Sequence, residues 1–116
     1  MVWRWAHDPR LSQSMRDIIS DPDNDIFASA ASVWELEIMH AKGKLTLPGS
    51  VLEGLAKMSV PALSIDAEDA AAAATLPRHH DDPFDRMLVA QAMRRSLTIV
   101  TSDDGFKAYG VRLMPP

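Results

Sequence analysis

The sequence predicts an α/β fold in which a parallel sheet is covered by helices on both faces. Short apolar, strand-like segments alternate with helix-like ones along the 116 residues, the pattern that gives parallel βαβ connections. The acids able to do chemistry fall where strands hand over to helices, which is where open α/β sheets bind ligands. With 47% hydrophobic and 24% charged residues, the composition is that of one ordinary globular domain, expected to span residues 1–116.

The elements follow in order. Asp8-Pro9 reads as an N-cap with proline at the first helical position, and Leu11, Met15, Ile18 and Ile19 share one face before the break at Asp21-Pro22. Ile26 to Ala30 suits a buried strand. Ser32 is expected to open a helix carrying Val33, Trp34, Leu36, Ile38 and Met39, which Gly43 stops. Pro48-Gly49 is a turn, and Val51, Leu52, Leu55 and Met58 mark a further helix. Ala62 to Asp66 is a second strand candidate, and the alanine-rich stretch from Asp66 to Thr75 favours helix until Pro77 ends it. After the polar loop Arg78 to Pro83 comes a strong helix with Phe84, Leu88, Val89, Ala92 and Met93 as its apolar positions. Leu97 to Thr101 is the clearest strand, β-branched throughout its middle, and a helical turn at Asp103 to Tyr109 leads to a last strand, Val111 to Met114.

Charge narrows the function. Twelve Lys and Arg against sixteen Asp and Glu leave a net charge of -4, which excludes tight nucleic-acid binding through bulk positive charge but not through a local patch or a metal ion. No cysteine is present, so there is no disulfide framework, thiolate zinc site or cysteine nucleophile. No segment reaches membrane-spanning length and the N-terminus lacks a signal-peptide run, so a soluble cytoplasmic protein is expected.

Three acids stand out. Glu35 follows the strand Ile26 to Ala30, Asp85 lies in the first turn of its helix, and Asp103 follows the strand Leu97 to Thr101. Each also has a structural explanation: Ser32-x-x-Glu35 is a capping box, Asp82-x-x-Asp85 imitates one, and Asp103 or Asp104 can cap the turn that follows. A parallel sheet would bring all three carboxylates into one crevice. There they repel one another unless a cation sits among them, and oxygen donors without cysteine favour Mg²⁺ or Mn²⁺ over zinc.

The residues carry a family resemblance. The string Ser29-Ala30-Ala31-Ser32-Val33-Trp34-Glu35, the Gly43-Lys44-Leu45 turn, the segment from His80 to Ala92 with its Asp-Pro-Phe-Asp-Arg, and the close from Thr98 to Asp103 with Phe106 and Tyr109 resemble a PIN domain. More narrowly, they resemble the VapC-like toxin ribonucleases of bacterial toxin–antitoxin pairs. The resemblance implies a three-layer α/β/α fold and a metal-dependent endoribonuclease. Glu35, Asp85 and Asp103 would match three of the family's acidic metal-site residues and hold Mg²⁺ or Mn²⁺, with RNA as substrate, a cognate antitoxin blocking the cleft, and a homodimer as assembly. The family opens with a short central strand ending in an aspartate, just before the tryptophan that Trp3 matches. This chain begins after that point, and Asp8 does not replace the acid. The expectation is therefore a sheet lacking its first central strand, with unpaired neighbours costing about 1–3 kcal/mol per buried backbone group and poor folding in isolation.

Weaker signals remain. His79-His80 suits a metal or phosphate contact but reads more readily as a solvated loop, and Trp3, Trp5 and Trp34 suit base stacking, although Trp34 is expected in the core and Trp3 and Trp5 exposed beside the missing strand. Arg86 is placed to pair with a neighbouring acid. Arg94 and Arg95 could steer RNA or simply complement a helix C-terminus. Two functional readings result: a metal-dependent ribonuclease, and a catalytically impaired PIN-like module that still engages an antitoxin. A phosphoacceptor domain is the third, without a candidate switch lysine.

Overall fold

The computed structural model describes residues 1–5 and 12–116, and the alternation of strands and helices is realised within them. In chain order the elements are β1 (Val2–Trp3), α1 (Gln13–Ser20), β2 (Ala28–Ser29), α2 (Ala30–Ala41), α3 (Val51–Lys57), β3 (Ala62–Leu63), α4 (Ala67–Ala74), α5 (Pro83–Arg95), β4 (Ile99–Val100), a 3-10 turn (Asp104–Tyr109) and β5 (Leu113–Met114). The expected Asp8-Pro9 helix start and Leu11 lie outside the described residues. Within the described residues α1 is capped by Ser12, whose hydroxyl accepts from the Met15 amide, and it buries Met15 and Ile18.

All strand pairs are parallel. β1 pairs with β4 (Val2 opposite Ile99, Trp3 opposite Val100), β4 with β5, and β2 with β3. A bridge between Val2 and Phe27 joins the two ladders, through Trp3 N–H to Phe27 O at 2.8 Å and Phe27 N–H to Met1 O at 2.8 Å. The resulting spatial order is β3-β2-β1-β4-β5.

This order corrects the expectation of an absent central strand. Val2 and Trp3 stand at the centre, with Val2 N–H donating to Thr98 O and Arg4 N–H to Val100 O, both at 2.9 Å. The neighbours are paired. Two residues of strand are too few to show a period of two, so this stretch carried no strand signal of its own; the unsatisfied edges of β2 and β4 are what recruit it.

The two faces of the sheet fill two clusters. Trp3 and Val100 point to one side, against Met15 and Ile18 of α1, Leu36 of α2 and Val51 and Leu55 of α3. Val2 and Ile99 point to the other, against Leu88, Val89 and Ala92 of α5 and Phe106 of the 3-10 turn. The alternation of adjacent residues between faces is the strand pleat at work. α4 lies against α5 on the outside of the second face. The architecture is α/β/α in three layers, as predicted.

Burial of the aromatics departs from expectation. Trp3 is 4% exposed and stacks on Trp5 with ring centroids 5.1 Å apart, so neither is left bare by a missing strand. Trp34 is not in the core: it is 65% exposed, on a helix that also starts three residues earlier than Ser32 predicted. Met93 likewise faces solvent. No helix among the described residues is long and apolar enough to cross a membrane.

Candidate functional site

The site lies at the carboxyl ends of β1, β2 and β4, where each strand passes directly or within a few residues into the next segment. β2 runs into α2 without a loop. Ser29 is both the last strand residue and the N-cap, extended at φ -61° and ψ 145°, and its hydroxyl accepts from the Ala31 amide. The predicted capping box is therefore not formed. Ser32 sits buried inside the first turn and Glu35 lies in the second, half-buried, so capping does not account for this acid.

α5 starts as predicted. Asp82 is its N-cap, accepting from the Phe84 amide at 2.8 Å and the Asp85 amide at 3.3 Å, with Pro83 at the first helical position. Asp85 does not complete a reciprocal box. The Asp82 amide donates to His80 Nδ1 instead, and the Asp85 carboxylate turns into the cleft with its side chain only 3% exposed. Asp103 caps the 3-10 turn, its Oδ1 accepting from the Gly105 amide at 2.8 Å, while its own amide donates to Thr101 Oγ1. Its capping reading holds, and its carboxyl also belongs to the cleft.

His80, Asp85 and Asp103 converge, each offering one ligand atom within 4.8 Å of the others. His80 Nε2 lies 3.2 Å from Asp85 Oδ2. Of the adjacent histidines only His80 enters the cleft; the ring of His79 packs edge-on against Tyr109. The loop that carries His80 is pinned from several sides. Tyr109 Oη accepts from the His80 amide and donates to Pro77 O, and the His80 ring packs against Phe106. Gly105 makes the approach feasible, since a Cβ there would stand 3.1 Å from both Asp103 Oδ1 and the His80 ring.

Arg4 completes the cleft and was not foreseen. Its Nε lies 3.2 Å from Asp85 Oδ1, so both oxygens of this buried carboxylate are engaged, one by Arg4 and one by His80. Burial works against the charge of Arg4. The hydrogen bond to Asp85 and the fields of Asp85, Glu35 and Asp103 outweigh it and raise its pKa above the ordinary arginine value. Glu35 thus lies close enough to act on Arg4, although it stands outside the group formed by His80, Asp85 and Asp103. Reading Met1 to Trp5 as a strand would have placed Arg4 at the carboxyl edge of the sheet; that short stretch offered no other signal.

Arg86, Arg94 and Arg95 are structural. Among the described residues no acid pairs with Arg86. Its guanidinium donates to Ala73 O and Leu76 O at 2.9 Å, to Pro77 O at 3.1 Å and to His80 O at 3.3 Å, tying the end of α4 to the His80 loop. Arg94 and Arg95 are engaged with the start of α4: Arg94 meets Asp66, Glu68 and Asp69, and Arg95 donates to Asp69 Oδ2 at 2.6 Å. Burial would raise the Asp69 carboxyl. The hydrogen bonds from Arg95, the Asp66 amide, Gln91 and Arg94 overcome this and lower it to about 2.

A parallel α/β/α sheet with a carboxylate–histidine cleft at its carboxyl edge is an open α/β architecture with its candidate site where such sheets bind ligands. The family profile for the PIN domain matches residues 2–111, and the chain belongs to that family. Among solved structures it is similar to one described as FitAB bound to an IR36 DNA fragment, with a TM-score of 0.56 and 26% identity over 79% of this chain and 73% of that one. No curated protein is similar enough to match.

Proposed function

We propose that this protein is a metal-dependent endoribonuclease, the VapC-like toxin of a toxin–antitoxin pair. The observation that carries the reading is the convergence of His80, Asp85 and Asp103 at the carboxyl edge of a PIN sheet. The donor set fits a small divalent cation: two carboxylates and one imidazole nitrogen, close enough to share an ion, around an acid that is buried rather than solvated. Asp85 and Asp103 would hold Mg²⁺ or Mn²⁺ with Glu35 beside them, and the imidazole of His80 favours Mn²⁺. A bound divalent ion would polarise the phosphodiester and acidify the attacking water. The chain's own part is positioning. The Asp82 amide fixes the His80 ring through Nδ1, and the Asp103 cap fixes its carboxyl.

The rest of the reading accompanies it. One PIN unit spans residues 1–116, RNA is the substrate, a cognate antitoxin covers the cleft, and a homodimer in the cytoplasm is the working form. The similarity to FitAB supports a partnered PIN protein. The test is cleavage of RNA by purified protein with Mn²⁺. Activity that disappears on chelation and in Asp85→Asn supports the reading.

A second reading rests on Arg4. A guanidinium already bound to Asp85 favours a catalytically impaired module that retains antitoxin binding. Stable antitoxin binding without cleavage at any Mn²⁺ or Mg²⁺ concentration would select it.

A further inference from the structure

We infer that Arg4 is a built-in counter-cation of the acidic cleft, which a divalent ion must displace from Asp85, so that ion binding and the Arg4–Asp85 pair compete. The inference rests on the metal-site reading above and extends it to how the site is controlled.

Arg4 leaves the sheet immediately after β1, with its amide still bonded to Val100 O, so its backbone is anchored at the carboxyl edge of the sheet. From there Nε meets Asp85 Oδ1 at 3.2 Å, and Asp85 belongs to the group whose donor atoms lie within 4.8 Å of one another. An ion shared by that group would sit within a few ångströms of the guanidinium.

Charge gives the second step. Three acids, Asp85, Glu35 and Asp103, act on Arg4, the arrangement expected around a cation. A divalent ion would seek the same field, and like charges at such separation in a half-buried cleft repel strongly. Both oxygens of Asp85 already face a partner: Oδ1 faces Arg4 and Oδ2 faces His80. Arginine is suited to this role because it stays charged at every relevant pH, so the cleft remains neutralised without an ion and the buried carboxylate is not left uncompensated. Arg4 has side-chain exposure of 18%, which leaves the guanidinium a route toward solvent when it is released.

The experiment measures ion binding, not cleavage. Mn²⁺ affinity is determined by calorimetry for the wild-type chain, Arg4→Gln and Asp85→Asn, and Mg²⁺ is titrated into ¹⁵N-labelled wild type while the Arg4 Nε–Hε resonance is followed. The expected result is Mn²⁺ affinity at least about tenfold tighter in Arg4→Gln, no binding in Asp85→Asn, and loss of the bonded Nε–Hε signal as Mg²⁺ fills the wild-type site. Equal affinity in wild type and Arg4→Gln, with binding still abolished by Asp85→Asn, would overturn the competition while leaving the metal site standing. Folded proteins that bind no ion in either form would overturn both. Should Arg4→Gln fail to fold, an Arg4 resonance unmoved at saturating Mg²⁺ in the wild type is enough to reject the proposal.

Discussion

The rings of Trp34 and Phe84 meet edge to face, with centroids 5.3 Å apart and planes at 75°. Each is followed directly by an acid of interest, Glu35 and Asp85, so the pair ties α2 to α5 across the mouth of the cleft and leaves the Trp34 ring 65% exposed beside it. If the proposed ribonuclease reading holds, this exposed indole is placed to stack on a nucleobase.

Trp34→Ala separates this role from a core role. Loss of an exposed ring should shift stability by less than about 1 kcal/mol, whereas truncation of a core tryptophan costs about 3–5 kcal/mol. Single-stranded RNA affinity should fall roughly fivefold or more, as expected from losing one base–aromatic contact. Urea denaturation and fluorescence anisotropy read the two effects. A large stability loss with unchanged RNA affinity would return Trp34 to the scaffold.

Trp3→Ala tests the central strand. Trp3 is buried against Met15, Ile18 and Val100, so truncation should cost about 3–5 kcal/mol and broaden or abolish the thermal transition. The wild-type chain, with β1 paired on both sides, should melt cooperatively. A variant as stable as the parent would mean that residues 1–5 do not hold the sheet together in solution.

Arg86→Lys is not a conservative change here. The guanidinium reaches four carbonyls at the end of α4 and in the His80 loop, a span that one ammonium cannot cover. A loss of about 1 kcal/mol is expected from leaving partly buried carbonyls with poorer partners. Faster amide exchange should be confined to residues 74–82, because the loop loses its tether. Uniform exchange throughout the chain would argue against that tethering role.

Acid should loosen the contact between α4 and α5. The Asp69 carboxyl is lowered from 3.8 to about 2, so its native ion pairs contribute stability above the unfolded value, and that contribution is lost as pH falls through the folded one. The melting temperature of the wild type should therefore drop between about pH 4 and pH 2. In Asp69→Asn, already weaker at pH 7, that part of the drop should be missing. Parallel melting curves for the two proteins across this range would assign the acid sensitivity elsewhere.

Much of the fold was legible because it is written in local chemistry. Asp82-Pro83 starts α5, Gly43 with φ at +73° follows the end of α2, and the β-branched core of Leu97 to Thr101 forms β4. The same local signals misplaced the start of α2. Ser32 and Glu35 have the spacing of a capping box, yet Ser29 wins because β2 must end where its pairing with β3 ends, and the helix follows at once.

The candidate site divides in the same way. Asp85 and Asp103 were evident from their places after a helix start and a strand end, positions that depend only on neighbouring residues. Arg4 was not, and His80 was only one of two adjacent histidines read more readily as a solvated loop, since their role depends on where distant segments are brought. β1 is too short to announce itself, and its place is set by the unpaired edges of β2 and β4; once there, it delivers a guanidinium to a carboxylate 81 positions away. The sequence by itself determined the order of elements, their caps and the acids at the strand ends. Tertiary structure alone decided the centre of the sheet, the outward turn of Trp34 and the cation that faces Asp85, because sheet pairing and charge compensation act between residues that no local pattern connects.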